Sequence, residues 1–404
     1  MRILYLNPGA SLGGAETSLI ELVAGIRALH PDWKLHMITG GDGPLIGEVE
    51  RFGVSTEVLE LSQRFAAVGD SGLLHGQNPL RVLTRLGQSA LDAHQYGRQL
   101  ARQVAAWKPD IVHATGLKMQ ILSAAYVSSQ ARVLWHIHDY VSWRPLAGKM
   151  LRLLAGRCRG ALVNSHSVEA DLRGCCPGLK WIDTVYNAVD EASLSAGAPV
   201  DLDSLSGLDT AAPGTVRLGL VATFARWKGH EVFLDALAGL RSEVSWRAYI
   251  IGGPIYQTDG SQYSHEELQA LIEKKGLTGR VGLTGFIRDR GAAMRSLDVV
   301  VHATTKQEPF GMVVIEAMAC GRAVIVSNAG GAAELYEEGV NGLGHVPGDA
   351  TNLRDKMKTM IQSQGLRERL GQEGKIHARE KFSRQNLAQH LTRKYTQLIE
   401  ESSH

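Results

Sequence analysis

A tight turn followed by an apolar helix is predicted at residues 308–316, Glu-Pro-Phe-Gly-Met-Val-Val-Ile-Glu. Pro309 and Gly311 favour the turn, and the residues from Met312 onward favour the helix. The first N–H groups of a helix have no partner within it, and the helix dipole favours negative charge at that end. We therefore predict that a diphosphate binds at this turn.

Two carboxylates, Glu308 and Glu316, flank the predicted anion site. Carboxylate oxygens accept paired hydrogen bonds from vicinal hydroxyl groups, which sugars offer in number. Two acids around a phosphate site therefore suit a ligand with phosphate in the middle and a sugar on each side. The alternative is that Glu308 caps the helix and Glu316 is an exposed helix acid, since two acids eight residues apart often occur by chance.

Two cations, Arg226 and Lys228, follow the first predicted strand of the second half of the chain. In a loop at the carboxyl end of a strand they would bind the same diphosphate and stabilise its charge as it leaves. The alternative is a solvated basic loop.

Histidines mark the corresponding region of the first half. His136 and His138 lie on the same face of a predicted strand, which permits joint metal ligation, but no third ligand is evident. We expect no metal there, and His138 is either an active-site residue or a strand-end core residue. His113 either packs at the end of its strand or contacts a ligand.

The elements that would position these residues alternate between strands and helices. Predicted strands cover residues 2–7, 34–39, 55–59, 110–114, 132–137 and 160–164, and then 216–222, 246–252, 280–284, 298–303 and 322–327. This alternation indicates two α/β domains with parallel sheets, whose ligands bind at the carboxyl ends of the strands. We predict an N-terminal domain at 1–190, a Ser-, Gly- and Asp-rich linker at 191–215, and a C-terminal domain at 216–382. The final helix, within 383–404, is expected to join the first domain.

Composition excludes several classes of protein. The 43 basic and 41 acidic residues leave a net charge of +2, which gives no reason to expect a nucleic-acid partner. The four cysteines have neither metal-ligand nor disulfide-framework spacing; they are Cys158, Cys175, Cys176 and Cys320. The first residues predict a strand rather than a signal peptide, and no apolar run is long enough to cross a membrane. A cytoplasmic location is therefore expected.

Several motifs resemble the retaining glycosyltransferases of family 4, which have the GT-B fold. In the second half these motifs are Phe224-Ala-Arg226-Trp-Lys228-Gly229, Gly285-Phe286-Ile287, Glu308-Pro-Phe310-Gly311 through Glu316, Gly330-Gly-Ala-Ala-Glu334 and Asn341-Gly342-Leu343. In the first half they are Gly13-Gly14-Ala15-Glu16, Asp110-Ile-Val-His113, His138-Asp139, Val163-Asn-Ser165 and Tyr186-Asn187-Ala188-Val189-Asp190, where Ala188 replaces the usual glycine. The likeness spans nearly the whole chain and is most specific over residues 298–345. It implies two tandem Rossmann-like, doubly wound domains that face each other across a cleft.

The resemblance also implies roles for individual residues. Arg226 and Lys228 match the cations on the donor diphosphate, Glu308 the acid on the transferred sugar, and Glu316 the acid on the nucleotide ribose. The other donor-side matches are Phe286 and Ile287 at the base, and the backbone of Phe310, Gly311, Met312 and Val313 at sugar and phosphate. The acceptor-side matches are Gly13, Gly14, His113, His138 and Asp139, with Gly14 also near the donor and His138 near the anomeric carbon. The predicted catalytic residues are His138, Glu308, Arg226 and Lys228.

The implied reaction moves a sugar from a nucleotide-diphosphate sugar, expected to be UDP- or GDP-linked, to a hydroxyl acceptor with retention of configuration. Because two cations and a helix N-terminus neutralise the phosphates, no metal ion and no other cofactor are expected. A nucleotide-sugar 2-epimerase shares this fold but would carry further acid/base carboxylates, and a non-catalytic sugar-binding copy would have lost Arg226, Lys228 or Glu308. All three are present. The base, the sugar and the acceptor, whether a glycan or a lipid-linked sugar, stay open.

Local charge indicates one further partner. Residues 81–159 contain twelve Lys or Arg against three Asp. Mixed with leucines on predicted helices, this pattern is typical of proteins that rest on an anionic membrane surface. The alternative is a set of solvated basic helices and a small soluble acceptor.

Overall fold

A computed structural model of the chain describes residues 1–67, 79–240, 245–254 and 260–400, without the side chains of residues 67 and 79–86. The chain divides into two units, Met1–Ala188 with Arg384–His404, and Val189–Ser383. Each unit has its own parallel sheet, seven-stranded in the first and six-stranded in the second. The predicted α/β class with two doubly wound domains is therefore confirmed.

The first unit places helices around a parallel sheet in the order β3-β2-β1-β4-β5-β6-β7. Its strands are β1 (Arg2–Asn7), β2 (Lys34–Thr39), β3 (Ser55–Val58), β4 (Ile111–Thr115), β5 (Arg132–Ile137), β6 (Gly160–Val163) and β7 (Ile182–Thr184). Its helices are α1 (Gly14–Leu29), α2 (Pro44–Glu50), α3 (Gln63–Ala67), α4 (Pro79–Trp107), α5 (Leu117–Tyr126), α6 (Pro145–Leu154), α7 (His166–Cys175) and the last helix of the chain, α16 (Arg384–Glu400). The central strands are buried along their length, as expected for a sheet covered on both faces.

The C-terminal helix α16 completes the core of the first unit by packing on α1. Leu391 and Tyr395 of α16 are fully buried in the cluster that also contains β1 and α1 residues. The two helices approach closely at Gly25, where a Cβ atom would lie 2.7 Å from the carbonyl oxygen of Arg384. An ion pair between Arg384 and Glu21, at 2.6 Å, fixes the same crossing.

The second unit has the strand order β10-β9-β8-β11-β12-β13. Its strands are β8 (Val216–Val221), β9 (Trp246–Ile251), β10 (Val281–Gly285), β11 (Val299–His302), β12 (Ala323–Ser327) and β13 (Leu343–His345). Its helices are α8 (Glu191–Ser195), α9 (Leu202–Leu205), α10 (His230–Ala238), α11 (His265–Lys274), α12 (Arg290–Arg295), α13 (Met312–Ala319), α14 (Ala350–Gln362) and α15 (Gln364–Lys381).

The segment 191–215, predicted as a linker, lies within the second unit and contains α8 and α9. Asp203 of α9 is buried and accepts hydrogen bonds from Arg247 at 2.7 Å and from the Tyr249 hydroxyl at 2.6 Å. These contacts tie α9 to β9. Residues 191–215 show no regular apolar pattern because the segment forms short helices that are held by polar contacts.

Strand order reverses at one place in each sheet, between β1 and β4 and between β8 and β11. In doubly wound sheets, ligands bind outside the carboxyl ends of the strands at such a switch point. The loops after these four strands are therefore the first places to look for function. None of the helices in the described part of the chain is long and apolar enough to span a membrane.

Candidate functional site

The switch point of the second unit brings together Lys228 and Glu308, which are 80 residues apart in sequence. The Lys228 ammonium group donates to both carboxylate oxygens of Glu308, at 2.8 Å to Oε1 and 2.7 Å to Oε2. Lys228 follows β8 and Glu308 follows β11, the two strands that flank the reversal. Two of the residues predicted to bind a donor are therefore in contact at the expected place.

Backbone contacts hold the two loops at this separation. Gly229 has φ of +80°, and a Cβ atom there would lie 1.8 Å from the carbonyl oxygen of Ala303, so only glycine fits. The backbone N–H of Thr305 donates to the carbonyl oxygen of Trp227 at 2.8 Å. The close approach of these two backbones keeps Lys228 within reach of Glu308.

Glu308 is held ionised by its neighbours. Burial by itself raises the pKa of this carboxyl group, but the charge of Lys228 and the contact with His302 outweigh burial and bring the pKa to about 2. His302 accepts the backbone N–H of Ser327 at Nδ1, at 3.3 Å, so its hydrogen is assigned to Nε2. That hydrogen points to Glu308 Oε2 across 3.4 Å. An ionised carboxylate only accepts hydrogen bonds, as binding of hydroxyl groups requires.

The N-terminus of α13 begins directly after Glu308. Gly311 is the N-cap residue with φ of +103° and offers no side-chain cap, so the first-turn N–H groups of Met312 and Val313 have no capping side chain. Met312 and Val313 are half-buried, whereas Phe310 is buried against Phe382. The turn predicted to cradle a diphosphate therefore has the required geometry.

Arg226 is held differently from Lys228. Its guanidinium group donates to Glu267 Oε1 at 2.8 Å and to the carbonyl oxygen of Gly260 at 3.0 Å, and it stacks over the Tyr263 ring at 4.2 Å. Arg226 and Glu267 are both exposed. In this structure Arg226 is thus paired with Glu267, away from Glu308.

Glu316 lies on the first turns of α13 and is buried, so the prediction of an exposed helix acid is excluded. Its Oε1 atom accepts a charge-assisted hydrogen bond from Arg290, the first residue of α12. Burial raises the pKa of Glu316, and the charge of Arg290 opposes that rise.

Phe286 and Ile287, which were predicted to lie at the nucleotide base, belong to the loop that leads from β10 to α12. The Phe286 ring is exposed and Ile287 is half-buried.

In the first unit, His113 and His136 form a buried hydrogen-bonded chain with Tyr395. The Tyr395 hydroxyl contacts His113 Nδ1 at 2.7 Å, and His113 Nε2 contacts His136 Nδ1 at 3.0 Å. Burial, together with the nearby His138, lowers the pKa of His113 to about 3 and holds the pKa of His136 well below its ordinary value. His113 is therefore a core residue of the first unit. This agrees with the first of the two predictions for it, packing at the end of its strand, rather than with contact to a ligand.

His138 follows β5 and stacks on His136, with ring centroids 4.0 Å apart. Both of its ring nitrogens are buried without a hydrogen-bond partner among the described residues, as are His136 Nε2, Gln120 Oε1 and Asn164 Oδ1. Burial lowers the pKa of His138 to about 4, which keeps the ring neutral at neutral pH. Unsatisfied buried polar atoms are costly, so this cluster at the end of β5 is suited to a polar ligand or ordered water.

The other residues predicted on the acceptor side lie at the ends of the same sheet. Gly13 is the N-cap of α1 and Gly14 its first residue, without a side-chain cap. Asp139 accepts the N–H of Tyr140 at 2.8 Å. The hydroxyl of Thr115, the last residue of β4, donates to Asn7 Oδ1 at 2.5 Å and so joins β4 to β1 at the switch point.

Two other features bear on the site. No group of three or more His, Cys, Asp or Glu among the described residues could hold a metal ion. A cavity of about 340 Å³ lies beside β10, with Leu208, His265 and Gln269 in its wall. Its wall contains no predicted site residue and no Lys or Arg side chain to pair with a phosphate.

Three contacting residues were missed from the sequence: His302, Glu267 and Arg290. Position alone could have indicated His302, the last residue of β11, and Arg290, the first residue of α12, whereas Glu267 lies in the first turn of α11. Glu267 forms a capping box with Ser264 at the start of α11, so its presence in the sequence has a structural reason that gives no hint of its contact with Arg226.

Two sequence families match the two units. The family described as Glycosyltransferase Family 4 matches residues 12–193, and Glycosyl transferases group 1 matches residues 212–377. Among curated relatives, the chain is 34% identical over 179 residues to the phosphatidyl-myo-inositol mannosyltransferase of Mycobacterium leprae, covering 42% of this chain and 44% of that protein. It is 23% identical over 223 residues to the N-acetyl-alpha-D-glucosaminyl L-malate synthase of Bacillus anthracis, covering 55% of each. The chain spans about half the length of the curated relatives it matches.

Solved structures resemble the whole chain. Anabaena Alr3699/HepE, crystallised in complex with UDP, matches with a TM-score of 0.79 and 23% identity over 98% of this chain and 100% of that chain. Sucrose-phosphate synthase from Thermosynechococcus elongatus matches with a TM-score of 0.77 and 19% identity over 99% and 100%. The fold is therefore GT-B, and each unit matches one glycosyltransferase domain family: residues 12–193 match Glycosyltransferase Family 4, and residues 212–377 match Glycosyl transferases group 1.

Proposed function

We propose that the protein is a retaining glycosyltransferase that moves a sugar from a nucleoside-diphosphate sugar to a hydroxyl acceptor without a metal ion. The observation that carries the proposal is the Lys228–Glu308 pair at the strand-order reversal, beside the uncapped N-terminus of α13. The two matched families and the names of the relatives support a transferase rather than a 2-epimerase. The structural neighbour with UDP bound makes UDP the first nucleotide to try.

The donor's charged and hydroxyl groups each have a partner in the second unit. Lys228 and the Met312 and Val313 N–H groups bind the diphosphate and stabilise the charge that grows as it leaves. Glu308, ionised because of Lys228 and His302, accepts hydrogen bonds from the hydroxyls of the transferred sugar. Glu316 accepts from the ribose through Oε2, since Arg290 occupies Oε1. With the phosphates neutralised in this way, no divalent cation is required.

On the acceptor side, His138 is the residue that serves the acceptor hydroxyl. A neutral imidazole both donates and accepts, and its unsatisfied nitrogens are available to a hydroxyl group. The leaving phosphate takes the acceptor's proton, which accounts for retention without a covalent glycosyl-enzyme. A cytoplasmic location with peripheral contact to an anionic membrane completes the proposal.

Thermal unfolding in the presence of UDP-, GDP- and ADP-sugars tests the donor. A ligand bound only by the native state raises the midpoint, and the correct nucleotide is expected to raise it most. Lys228→Gln and Glu316→Gln should lose that shift, whereas Lys356→Gln, which replaces a half-buried lysine paired with Glu338 elsewhere in the second unit, should keep it. Transfer in EDTA tests the metal. Activity that EDTA abolishes and manganese restores would overturn the metal-free mechanism.

A further inference from the structure

Helix α6 exposes a stripe of large apolar side chains on the first unit. Trp143 is 44% exposed, Leu146 65%, Met150 50% and Leu153 84%, the largest value among the exposed large apolar residues that the structure describes. Their spacing of three, four and three residues places Leu146, Met150 and Leu153 on one side of the helix, with Trp143 in the turn before it. Single exposed apolar residues are normal, but a contiguous stripe marks an interaction surface.

The opposite side of α6 anchors the helix firmly. Gly148, Leu151 and Ala155 are buried, and Leu151 and Ala155 belong to the core of the first unit. Gly148 lets the helix approach Val141 closely, since a Cβ atom there would lie 3.3 Å from Val141 Cγ1. The exposed stripe is therefore the outer side of a packed helix and cannot turn inward without breaking this packing.

Charge identifies the chemistry of the partner. Residues 141–160 contain five basic side chains and no acidic one. All five are exposed: Arg144, Lys149, Arg152, Arg157 and Arg159. Two acids lie next to this segment: Asp139 accepts the N–H group of Tyr140, and Asp171 of α7 accepts the N–H groups of Val141 and Ser142. An apolar stripe edged by cations complements a surface that is apolar below and anionic at its boundary, which describes a lipid leaflet with anionic headgroups.

We propose that α6 and Trp143 form a docking surface for an anionic lipid bilayer, with the stripe entering the headgroup boundary and the five cations binding the lipid phosphates. The basic segment predicted from the sequence extends from residue 81, but the side chains of Arg81 and Arg85 lie outside the described residues. The structure thus narrows the membrane contact to one helix. The inference does not depend on the proposed reaction.

Sedimentation with vesicles tests the surface on the full chain without any donor. Wild-type protein is expected to sediment with phosphatidylglycerol/phosphatidylcholine vesicles and not with pure phosphatidylcholine. Leu146→Glu and Leu153→Glu should each weaken binding at least about tenfold, because each removes apolar burial and adds repulsion. Lys149→Glu with Arg152→Glu should weaken it most at low salt, where charge attraction is strongest.

Matched controls separate this surface from general effects. Leu205→Glu replaces a leucine of the second unit that is 50% exposed, and Arg393→Glu replaces an exposed arginine on α16, and both should bind like wild type. Equal binding by Leu153→Glu and wild type would overturn the proposal. So would a concentration-dependent dimer that Leu153→Glu abolishes while no form binds vesicles, since the stripe would then serve a second copy. Nucleotide-dependent thermal shifts that persist in the α6 variants would leave the proposed reaction intact in either case.

Discussion

At the scale of single residues, Lys228 and Arg226 carry the same charge but are held in opposite ways. Lys228 is largely buried against Glu308, whereas Arg226 is exposed and paired with Glu267. An arginine that is to bind a diphosphate must first leave Glu267. Exposed ion pairs contribute little stability, so breaking the Arg226–Glu267 pair in order to bind a diphosphate should require little free energy.

That difference predicts opposite effects for two neighbouring substitutions. Arg226→Gln should lower kcat at least about tenfold with a smaller rise in KM, because the lost charge acts mainly as the phosphate leaves. Glu267→Gln keeps the capping box but frees Arg226, so nucleotide diphosphate should bind up to about fivefold more tightly. Steady-state kinetics and calorimetry measure both. Weaker binding by Glu267→Gln would mean that the resting pair itself supports the site.

Glu308 predicts a dependence of stability on pH. Its pKa falls from an ordinary 4.5 to about 2, so its ionised form stabilises the fold above pH 4.5 and the contribution is lost as pH falls towards 2. The full contribution is about 3 kcal/mol. Glu308→Gln should therefore be less stable than wild type at pH 6, and the gap should shrink towards pH 3. Urea unfolding across this range checks it, and a gap independent of pH would contradict the assignment.

At the scale of elements, the adjacent strands β4 and β5 position two histidines that differ in their hydrogen bonding. His113 on β4 has both ring nitrogens hydrogen-bonded, whereas neither ring nitrogen of His138, after β5, has a hydrogen-bond partner in the part of the chain that the structure describes. Removing a partnered buried group leaves other groups unsatisfied, but removing an unpartnered one does not.

This contrast predicts a separation of folding from activity. His113→Ala should lower the free energy of unfolding by about 2–4 kcal/mol. The substitution removes the hydrogen-bond partner of the Tyr395 hydroxyl and of His136 Nδ1, and it leaves a cavity. His138→Ala should cost less stability, nearly abolish transfer and leave nucleotide affinity within about threefold, under 1 kcal/mol. Urea unfolding and transfer assays compare the two. If His138→Ala unfolds the protein as readily as His113→Ala, His138 is a core residue.

The elements also set how far the sequence could lead. Strands β1, β2 and β5 have their predicted bounds, and helix α13 begins at Met312 as predicted, because each is an apolar run with clear start signals. The three-residue strands β7 and β13 were missed, since too few residues form a pattern. The predicted positions of Lys228 and Glu308 in loops were right, but their ion pair depends on strand order. Strand order is a long-range property, and neither local spacing nor composition encodes it.

At the scale of the whole molecule, the chain crosses from the first unit to the second and returns for α16. The stability of the first unit therefore depends on residues nearly 200 positions beyond the rest of it. Leu391 of α16 is fully buried in the core with β1 and α1, and Leu353 of α14 is fully buried in the core of the second unit. These two leucines are a matched pair, one in each core.

Leu391→Ala and Leu353→Ala should each destabilise one unit by about 2–5 kcal/mol, the usual range for a fully buried leucine. Hydrogen exchange followed by mass spectrometry locates the loss. Leu391→Ala should speed exchange in β1, β4 and α1, and Leu353→Ala in β8, β9 and α10, each leaving the other unit protected. Faster exchange in both units for either variant would mean that they unfold as one cooperative body. Separate responses would make the C-terminal helix a determinant of the first unit alone, so that, under the proposed function, loss of α16 would impair transfer while the second unit still bound nucleotide.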